Sequence, residues 1–491
     1  MQKPKKFDRN LIVIGGGAAG LVTAYISAAV KAKVTLIEAG KMGGDCLNTG
    51  CVPSKALIMC ARQAHRARCA SEFGVILQEP VIDFPRVIQH VRESIQAIEP
   101  NDSVERYTEL GVEVLQGTAE LVDPWTVKTC LNDGGEQILT ARAIVLATGA
   151  EPSAPPFPGL DQVNYLTSDT LWDRFTQLQA PPRRLVLLGG GAIGCELAQA
   201  LVRLGSQVVL VERSNTILPE LDTEVSAAVT EALTRDGVEI LTDHEAVEFE
   251  GSPERNGGTL IVQNKGNKVR LEFDEVILAL GRQSKLAGLG LENLGLQESG
   301  RLQLDGYLRT TYPHILAAGD VAGPYQFTHM ASLQAWYAAV NALFGDLKKF
   351  AVDYSLVPSA VFVDPEVASV GLSEEAARKQ NVNYEITRYD LEHLDRAIVD
   401  GARRGFVKVL TVPGKDKILG VSIVGENAAE LIAEFILAMK YGLGLNKILS
   451  TIHIYPTMSE ANKFVAGNWK RAHTPAAILR FLEVFNRWRR N

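Results

Sequence analysis

Two cysteines separated by four residues, Cys46 and Cys51 in GGDCLNTGCVPSKAL (43–57), carry the plainest chemical signal in this 491-residue chain. Pro53 and Ser54 open a helical pattern just after them, which places Cys51 at or just before a helix N-terminus. The helix dipole there stabilises a thiolate and lowers the thiol pKa from its ordinary ~8.5. A CxxxxC loop can close a small disulfide ring, and opening it leaves one thiolate to face a cofactor and one to exchange with another sulfur. A zinc half-site or two inert thiols are the competing readings of such a pair. Zinc takes about four ligands, however, and the other thiols, Cys60, Cys69, Cys130 and Cys195, are isolated.

Redox thiols need an electron source, and the sequence offers two sites for one. The segment LIVIGGGAAG (11–20) runs an apolar strand into G-x-G-x-x-G at Gly15, Gly17 and Gly20, followed by a helical pattern and VTLIEAG. The first glycine permits a tight turn, the second lets backbone approach a pyrophosphate, and the third lets helix pack on strand. Glu38 ends the second strand, where a carboxylate accepts the ribose hydroxyls of an adenosine. LVLLGGGAIG (185–194) repeats the plan with Gly189, Gly191, Gly194 and Glu212, each 174 residues beyond its counterpart. One glycine turn is a weak signal. Two with identical spacing, each in strand–turn–helix context with its acid, predict two dinucleotide sites.

These turns must be positioned by parallel sheets. Each repeat closes with an apolar strand entering a small-residue turn: AIVLATGA (143–150), with Thr148 and Gly149, and EVILALGR (275–282), with Gly281. Glu38 to Ala147 spans 109 residues but Glu212 to Ala279 only 67, so the first repeat carries an insertion that has both paired cysteines at its start. HILAAGDVAG (314–323) adds a third strand and turn, after which Asp320 either holds a ribityl or ribose hydroxyl or serves the turn alone. From about residue 353, strand-like VPSAVFV, GFVKVL and ILGVSIVG alternate with helical AAELIAEFILAMKYG, as in a separate α+β domain. The fold class expected is α/β, with two Rossmann-like domains and an α+β domain. Residues 1–152 form the first dinucleotide domain, 153–282 the second, 283–352 complete the first, and 353–491 follow. The proline-rich EPSAPPFPG (151–159) reads as the linker between the two repeats.

Composition agrees. At about 150 residues per domain, the length suggests about three domains. Hydrophobic content of 46% and charged content of 22% exclude a disordered or fibrous chain. Fifty basic and 57 acidic residues leave a net charge of −7, which disfavours nucleic acid as a partner. The basic start MQKPKKFDRN leads into a strand and glycine turn and not a signal-peptide core, and no stretch reaches the ~18 apolar residues of a membrane span. A cytoplasmic location is expected.

The string GGDCLNTGCVPSK, the paired glycine turns, ATG, AAGDV and the closing YPTMSE together resemble the FAD-dependent pyridine nucleotide–disulfide oxidoreductases, the family of dihydrolipoamide dehydrogenase, glutathione reductase and mercuric reductase. The resemblance covers nearly the whole chain. It implies FAD on the first unit (Gly15, Gly17, Gly20, Glu38, Asp320), a nicotinamide dinucleotide on the second, and an interface domain that makes a homodimer. It implies that hydride passes from the nicotinamide to the flavin, which then opens a Cys46–Cys51 disulfide, with Cys51 against the flavin and Cys46 meeting substrate. Lys55 and Glu196 match the family's lysine–glutamate pair beside the flavin. Glu212 favours NADH, because a carboxylate repels a 2′-phosphate. The adjacent Arg213 leaves NADPH open, although Pro219 lies where NADPH enzymes often place a second arginine.

The informative departure is HIYPTMSE (453–460). In dihydrolipoamide dehydrogenase and glutathione reductase, the residue before Pro-Thr is a histidine that acts from the partner subunit as acid/base, oriented by a glutamate five residues on. Here it is Tyr455, with Glu460 retained. A phenol of pKa near 10 is a poor base at pH 7. His453, in an extended segment, falls on the same side about 6–7 Å away, too far to substitute. Tyrosine near this place resembles mercuric reductase, but no cysteine follows Cys195 to supply that branch's carboxy-terminal pair. It also resembles the soluble transhydrogenase, which typically lacks the cysteine pair present here. The acceptor therefore stays open between a disulfide, including a protein-bound lipoyl group, and a thiophilic metal ion. A transhydrogenase-like enzyme and a low-turnover redox sensor or flavin subunit are the alternatives. Finally, PAAILRFLEVFNRWRRN (475–491) spaces Ile478, Leu479, Leu482, Phe485 and Trp488 as an amphipathic helix among arginines, suited to packing on its own dimer or to contact with an anionic membrane or a partner.

Overall fold

The apolar run before the first glycine turn forms the strand Arg9–Ile14, and its residues split between two cores. In the computed structural model, which describes residues 3–251, 257–298 and 300–490, this strand is central to a parallel array. The order is Val112–Asp123, Val34–Glu38, Arg9–Ile14, Glu136–Leu146, Ile315–Ala317. Leu11 and Val13 face the small residues Ala19, Ala24, Ala331 and Ala338 of the helices Ala18–Ala29 and Thr328–Phe344. Ile12 and Ile14 face Leu121, Leu139, Leu289 and Leu291 on the opposite side. Strand periodicity of two, buried on both faces, is what makes this sequence apolar throughout.

By its internal contacts the chain forms two compact units. One takes in the chain up to Gly189 with Ala200–Val211 and Glu245–Asp353; the other holds Gly190–Gln199, Glu212–His244 and the chain from Tyr354. The first also contains the parallel strands Gln207–Val211, Arg184–Leu188, Glu275–Leu278 and Tyr165–Leu166. Beside them is an antiparallel ribbon of Glu245–Gly251, Gly258–Asn264 and Asn267–Phe273.

The internal repeat is visible bond by bond. Gly15 N–H donates to the Ile37 carbonyl at 2.8 Å and Gly189 N–H to that of Val211 at 2.9 Å; Ala147 N–H donates to Ile14 at 2.7 Å and Ala279 N–H to Leu188 at 2.8 Å. The proline-rich segment is not wholly a linker. Its start lies in the strand Ala150–Pro152, which pairs antiparallel with Arg282–Ser284, so the two returning strands end tied together.

The second unit is built on an antiparallel sheet in the order Ser359–Val361, Glu366–Gly371, Ile418–Gly425, Phe406–Thr411, Glu385–Asp390. Phe435 of the helix Ala428–Lys440 and Val465 of the helix Glu460–Ala472 share a core with Val409 and Ile423 of that sheet. Inside it Lys408, with its side chain 1% exposed, is ion-paired to Asp222, Glu224 and Glu374.

Candidate functional site

The sequence GGDCLNTGC folds as two short helical steps joined by a tight loop. Cys46 lies in the helix Gly44–Asn48, and Cys51 is the first residue of the helix Cys51–Cys69. Thr49 and Gly50 N–H both donate to the Asp45 carbonyl, at 2.9 and 2.6 Å. The Trp172 indole donates to the Thr49 carbonyl at 2.7 Å. Gly44 lies so close to the first glycine turn that a Cβ on it would come within 2.7 Å of Gly17 Cα. The redox loop is therefore packed directly on the dinucleotide cradle.

The Cys51 sulfur lies 3.5 Å from the Thr328 hydroxyl, and Thr328 is itself the first residue of the helix Thr328–Phe344. Two helix N-termini thus converge on one sulfur, an environment that favours negative charge there. Cys46 and Cys51 are within hydrogen-bonding reach, and that bond, followed by burial, pushes the Cys46 thiol well above its ordinary value. The shared hydrogen bond therefore disfavours a thiolate on Cys46, while the helix N-termini favour negative charge at the position of Cys51. Asp45 is ion-paired to Arg282, whose guanidinium also donates to the Ala150 carbonyl at 2.7 Å; burial outweighs this partner and raises the Asp45 carboxyl.

The first glycine turn is shaped for a pyrophosphate. Gly15 sits at φ +109°, and a Cβ there would meet the Ala147 carbonyl oxygen at 2.3 Å; one on Gly20 would meet that of Gly15 at 1.8 Å. Gly17 caps the helix Ala18–Ala29 without any side-chain bond, which leaves the helix N-terminus open to an anion. Glu38 accepts from the N–H groups of Gly16 and Gly40, and a carboxylate so held has lone pairs left for hydroxyls. Burial raises the Asp320 carboxyl, with Arg282 4.0 Å away. Thr148 donates to the Lys285 carbonyl at 2.7 Å, and Gly149 and Gly281 occupy left-handed turns at φ +71° and +95°. An open phosphate cradle flanked by two acids with acceptor capacity fits FAD.

The second turn repeats these features. Gly189 sits at φ +114°, where a Cβ would meet the Ala279 carbonyl oxygen at 2.3 Å. Glu212, 8% exposed, accepts from Gly190 N–H and Ser214 N–H at 2.7 Å each, just as Glu38 accepts from Gly16 and Gly40. A Cβ on Gly191 would meet nothing within 4 Å, while Gly194 lies in the helix Ala192–Arg203. Arg213 is exposed. Glu212→Ala is expected to lower kcat/KM for NADH about tenfold while leaving NADPH nearly unchanged, since a hydrogen bond to a carboxylate contributes about 1.5 kcal/mol. Steady-state kinetics with both cofactors checks this, and equal losses for the two would reduce Glu212 to a turn residue.

Lys55, on the helix Cys51–Cys69, donates to Ser54 Oγ at 3.4 Å. Glu196, 5% exposed, accepts from Phe362 N–H at 2.9 Å. Tyr455 is 68% exposed and donates its phenol hydrogen to Asp395 Oδ2 at 3.1 Å. That bond and the Asp395 charge raise the phenol above its ordinary value. Glu460, buried at the start of the helix Glu460–Ala472, accepts instead from Thr457 N–H at 3.4 Å. The carboxylate placed by sequence to orient residue 455 is thus turned to the backbone, and Asp395 has taken the phenol. His453 Nδ1 faces the Thr451 carbonyl at 3.0 Å and Nε2 faces Glu434 at 3.1 Å. Both ring nitrogens of His453 are thus engaged by residues other than Tyr455.

A disulfide-capable pair packed on one dinucleotide cradle, in a chain with a second such cradle, defines a flavin-dependent oxidoreductase of pyridine nucleotides. Residues 9–341 match the family model for pyridine nucleotide-disulphide oxidoreductases, and residues 357–465 match that family's dimerisation domain. The chain belongs to the pyridine nucleotide–disulfide oxidoreductase family. It is 36% identical to a mercuric reductase of Streptomyces lividans over 93% of this chain and 95% of that protein. It is 35% identical to a dihydrolipoyl dehydrogenase of Chlamydia pneumoniae, again over 93% and 95%. Among solved structures, a copper(II) complex of the HOCl-induced flavoprotein disulfide reductase RclA from Escherichia coli superposes with TM-score 0.82 at 28% identity, covering 94% of this chain and 99% of that one. The protein is a FAD-dependent NAD(P)H oxidoreductase that passes electrons through flavin and a Cys46–Cys51 disulfide to a disulfide or thiophilic metal acceptor. The matched dimerisation domain points to a homodimer.

Proposed function

We propose that the acceptor is a thiophilic metal ion, bound directly by Cys46 and Cys51 and reduced at the expense of NADH. The observation that carries this reading is Tyr455, whose phenol is tied to Asp395 where the disulfide-reducing relatives place an imidazole. A disulfide acceptor requires Cys46 to lose its proton as its sulfur attacks and requires the departing sulfur to gain one. The Cys51 hydrogen bond and burial hold the Cys46 thiol above its ordinary range, and a phenol of raised pKa is a poor base at neutral pH. A soft metal ion needs no such base, because ligation itself displaces the thiol proton.

Bound FAD supplies the two-electron relay between NADH and the thiol pair. The chain's own residues do the rest. Gly15, Gly17 and Gly20 would seat the pyrophosphate, and Glu38 and Asp320 would hold hydroxyls; the family resemblance assigns Lys55 and Glu196 to tuning the flavin. Gly189, Gly191, Gly194 and Glu212 seat NADH. The two helix N-termini keep negative charge on Cys51, and Cys46 meets the acceptor. The family resemblance implies that position 455 reaches the thiol pair from the partner subunit of the homodimer, where the Tyr455 phenol would offer a neutral hydroxyl as a ligand or hydrogen-bond donor. For mercuric ion the balance is NADH + Hg(II) → NAD⁺ + Hg(0) + H⁺. The mercuric reductase relatives and the copper(II)-bound RclA neighbour support this direction.

One observation favours a disulfide as a second reading: in this sequence nothing after Cys195 matches the carboxy-terminal cysteine pair of the mercuric reductase branch. Among the described residues, no helix is long and apolar enough to cross a membrane, and a cytoplasmic site of action belongs to the same proposal. Steady-state NADH oxidation with Hg(II) in excess thiol, run beside lipoamide, tests it. Sustained turnover with Hg(II) and little with lipoamide is expected. Rapid lipoamide reduction would transfer the assignment to a disulfide, and a single reduction without turnover would indicate a redox sensor.

A further inference from the structure

The helix Ala476–Arg490 lies beyond both family matches, which end at residue 465, and none of its side chains is buried. At 100° per residue, Ile478, Phe481, Leu482, Val484, Phe485 and Trp488 fall within one arc of roughly 160°, with Arg480, Arg487 and Arg490 opposite. The aromatic rings form a continuous ribbon: Phe481 and Phe485 are 6.2 Å apart and Phe485 and Trp488 6.1 Å. Phe481 and Trp488 are 67% and 71% exposed. Arg489 falls within the apolar arc, between Ile478 and Leu482, its guanidinium 5.7 Å from the Phe485 ring.

Charge sets this region apart. Residues 463–490 contain seven lysines and arginines and one acid, Glu483, in a chain of net charge −7. We propose that this helix docks on an anionic phospholipid bilayer, lying in the interfacial plane with the aromatic arc among the acyl chains and the arginines against the headgroups. Wide apolar arcs rich in tryptophan and phenylalanine, backed by arginine, are built for that boundary, where long cationic side chains reach back to phosphate. The helix has 15 residues, fewer than the ~20 that span a bilayer, so it lies on the surface. A second copy as the occupant is distinguished from the bilayer by a change of oligomeric mass.

The test is co-sedimentation of the purified full-length flavoprotein with vesicles of phosphatidylcholine alone or mixed with phosphatidylglycerol. The proposal expects binding to the mixed vesicles at least about tenfold tighter than to phosphatidylcholine, lost as ionic strength rises. The double variant F481E/W488E should lose it, as should R487E/R489E/R490E, each with unchanged flavin content, NADH-driven flavin reduction and mass by light scattering. Absence of binding to mixed vesicles at low salt would overturn the proposal, and so would binding that both variants retain. A change of oligomeric mass in F481E/W488E would overturn it in favour of a second copy as the occupant.

Discussion

Cys46→Ser is expected to stop reduction of any acceptor, by about a thousandfold or more, while NADH still reduces the flavin at the wild-type rate. The loss is that large because nothing else in the site replaces the nucleophile or metal ligand, and residues acting as one unit fail together. Cys51→Ser should be equally inactive for the same reason: without the sulfur at the two helix N-termini, no disulfide can form. The half-reactions separate the steps. Stopped-flow absorbance in the absence of acceptor reports flavin reduction, and steady-state assays report the acceptor step. If Cys46→Ser kept full turnover with Hg(II) or lipoamide, electrons would be leaving the flavin directly and the thiol pair would be ornamental. Flavin that could no longer be reduced would instead show that the substitution had damaged the cradle against which Gly44 packs.

The second large effect concerns position 455. Tyr455→His is expected to raise lipoamide turnover about a hundredfold, since a positioned general base contributes 10²–10⁴-fold. The pH profile gives the sign. Because Cys46 is held above its ordinary value by Cys51 and by burial, its thiolate becomes available only as pH rises. Wild-type lipoamide reduction should therefore climb steadily through the alkaline range. Around Tyr455 the charged groups are Asp395 and Glu460, both of which raise the phenol, and Arg396, which donates to the Pro456 carbonyl at 3.4 Å. None of these is an imidazole. An imidazole in the same place should carry activity down towards its own pKa of about 6.5 and flatten the profile above it. An unchanged rate and profile in Tyr455→His would remove the argument that the missing base selects the acceptor.

Much of this site was legible in the sequence, because its parts are local. The glycines of each cradle, the acids that end each second strand, and the cysteine at a helix start are fixed within a strand–turn–helix of about thirty residues. In such a unit, spacing dictates geometry. The residues that tune the site come from far along the chain. Trp172 is 123 residues from the Thr49 carbonyl it holds, and Thr328 is 277 from Cys51. Arg282 is 237 from Asp45. Asp395 is 60 from Tyr455, and it displaced the neighbouring Glu460 from the role that sequence spacing suggested. Asp45 and Arg282 stood inside quoted motifs without any feature to single them out, and Trp172 carries no local signal. The proline-rich start of the linker misled in a simpler way: Ala150–Pro152 pairs with Arg282–Ser284, and only the tertiary fold brings that partner alongside.

The account rests most heavily on a thiol pair that stores electrons between flavin and acceptor, and anaerobic titration with NADH counts them directly. With the oxidised homodimer and no acceptor present, full reduction should consume about two hydride equivalents per subunit, one for the flavin and one for the disulfide. About two new thiols per subunit should become reactive towards a chromogenic disulfide, and in Cys46→Ser the uptake should fall to one equivalent. Uptake of a single equivalent by the wild-type protein, with no thiols appearing, would contradict the account.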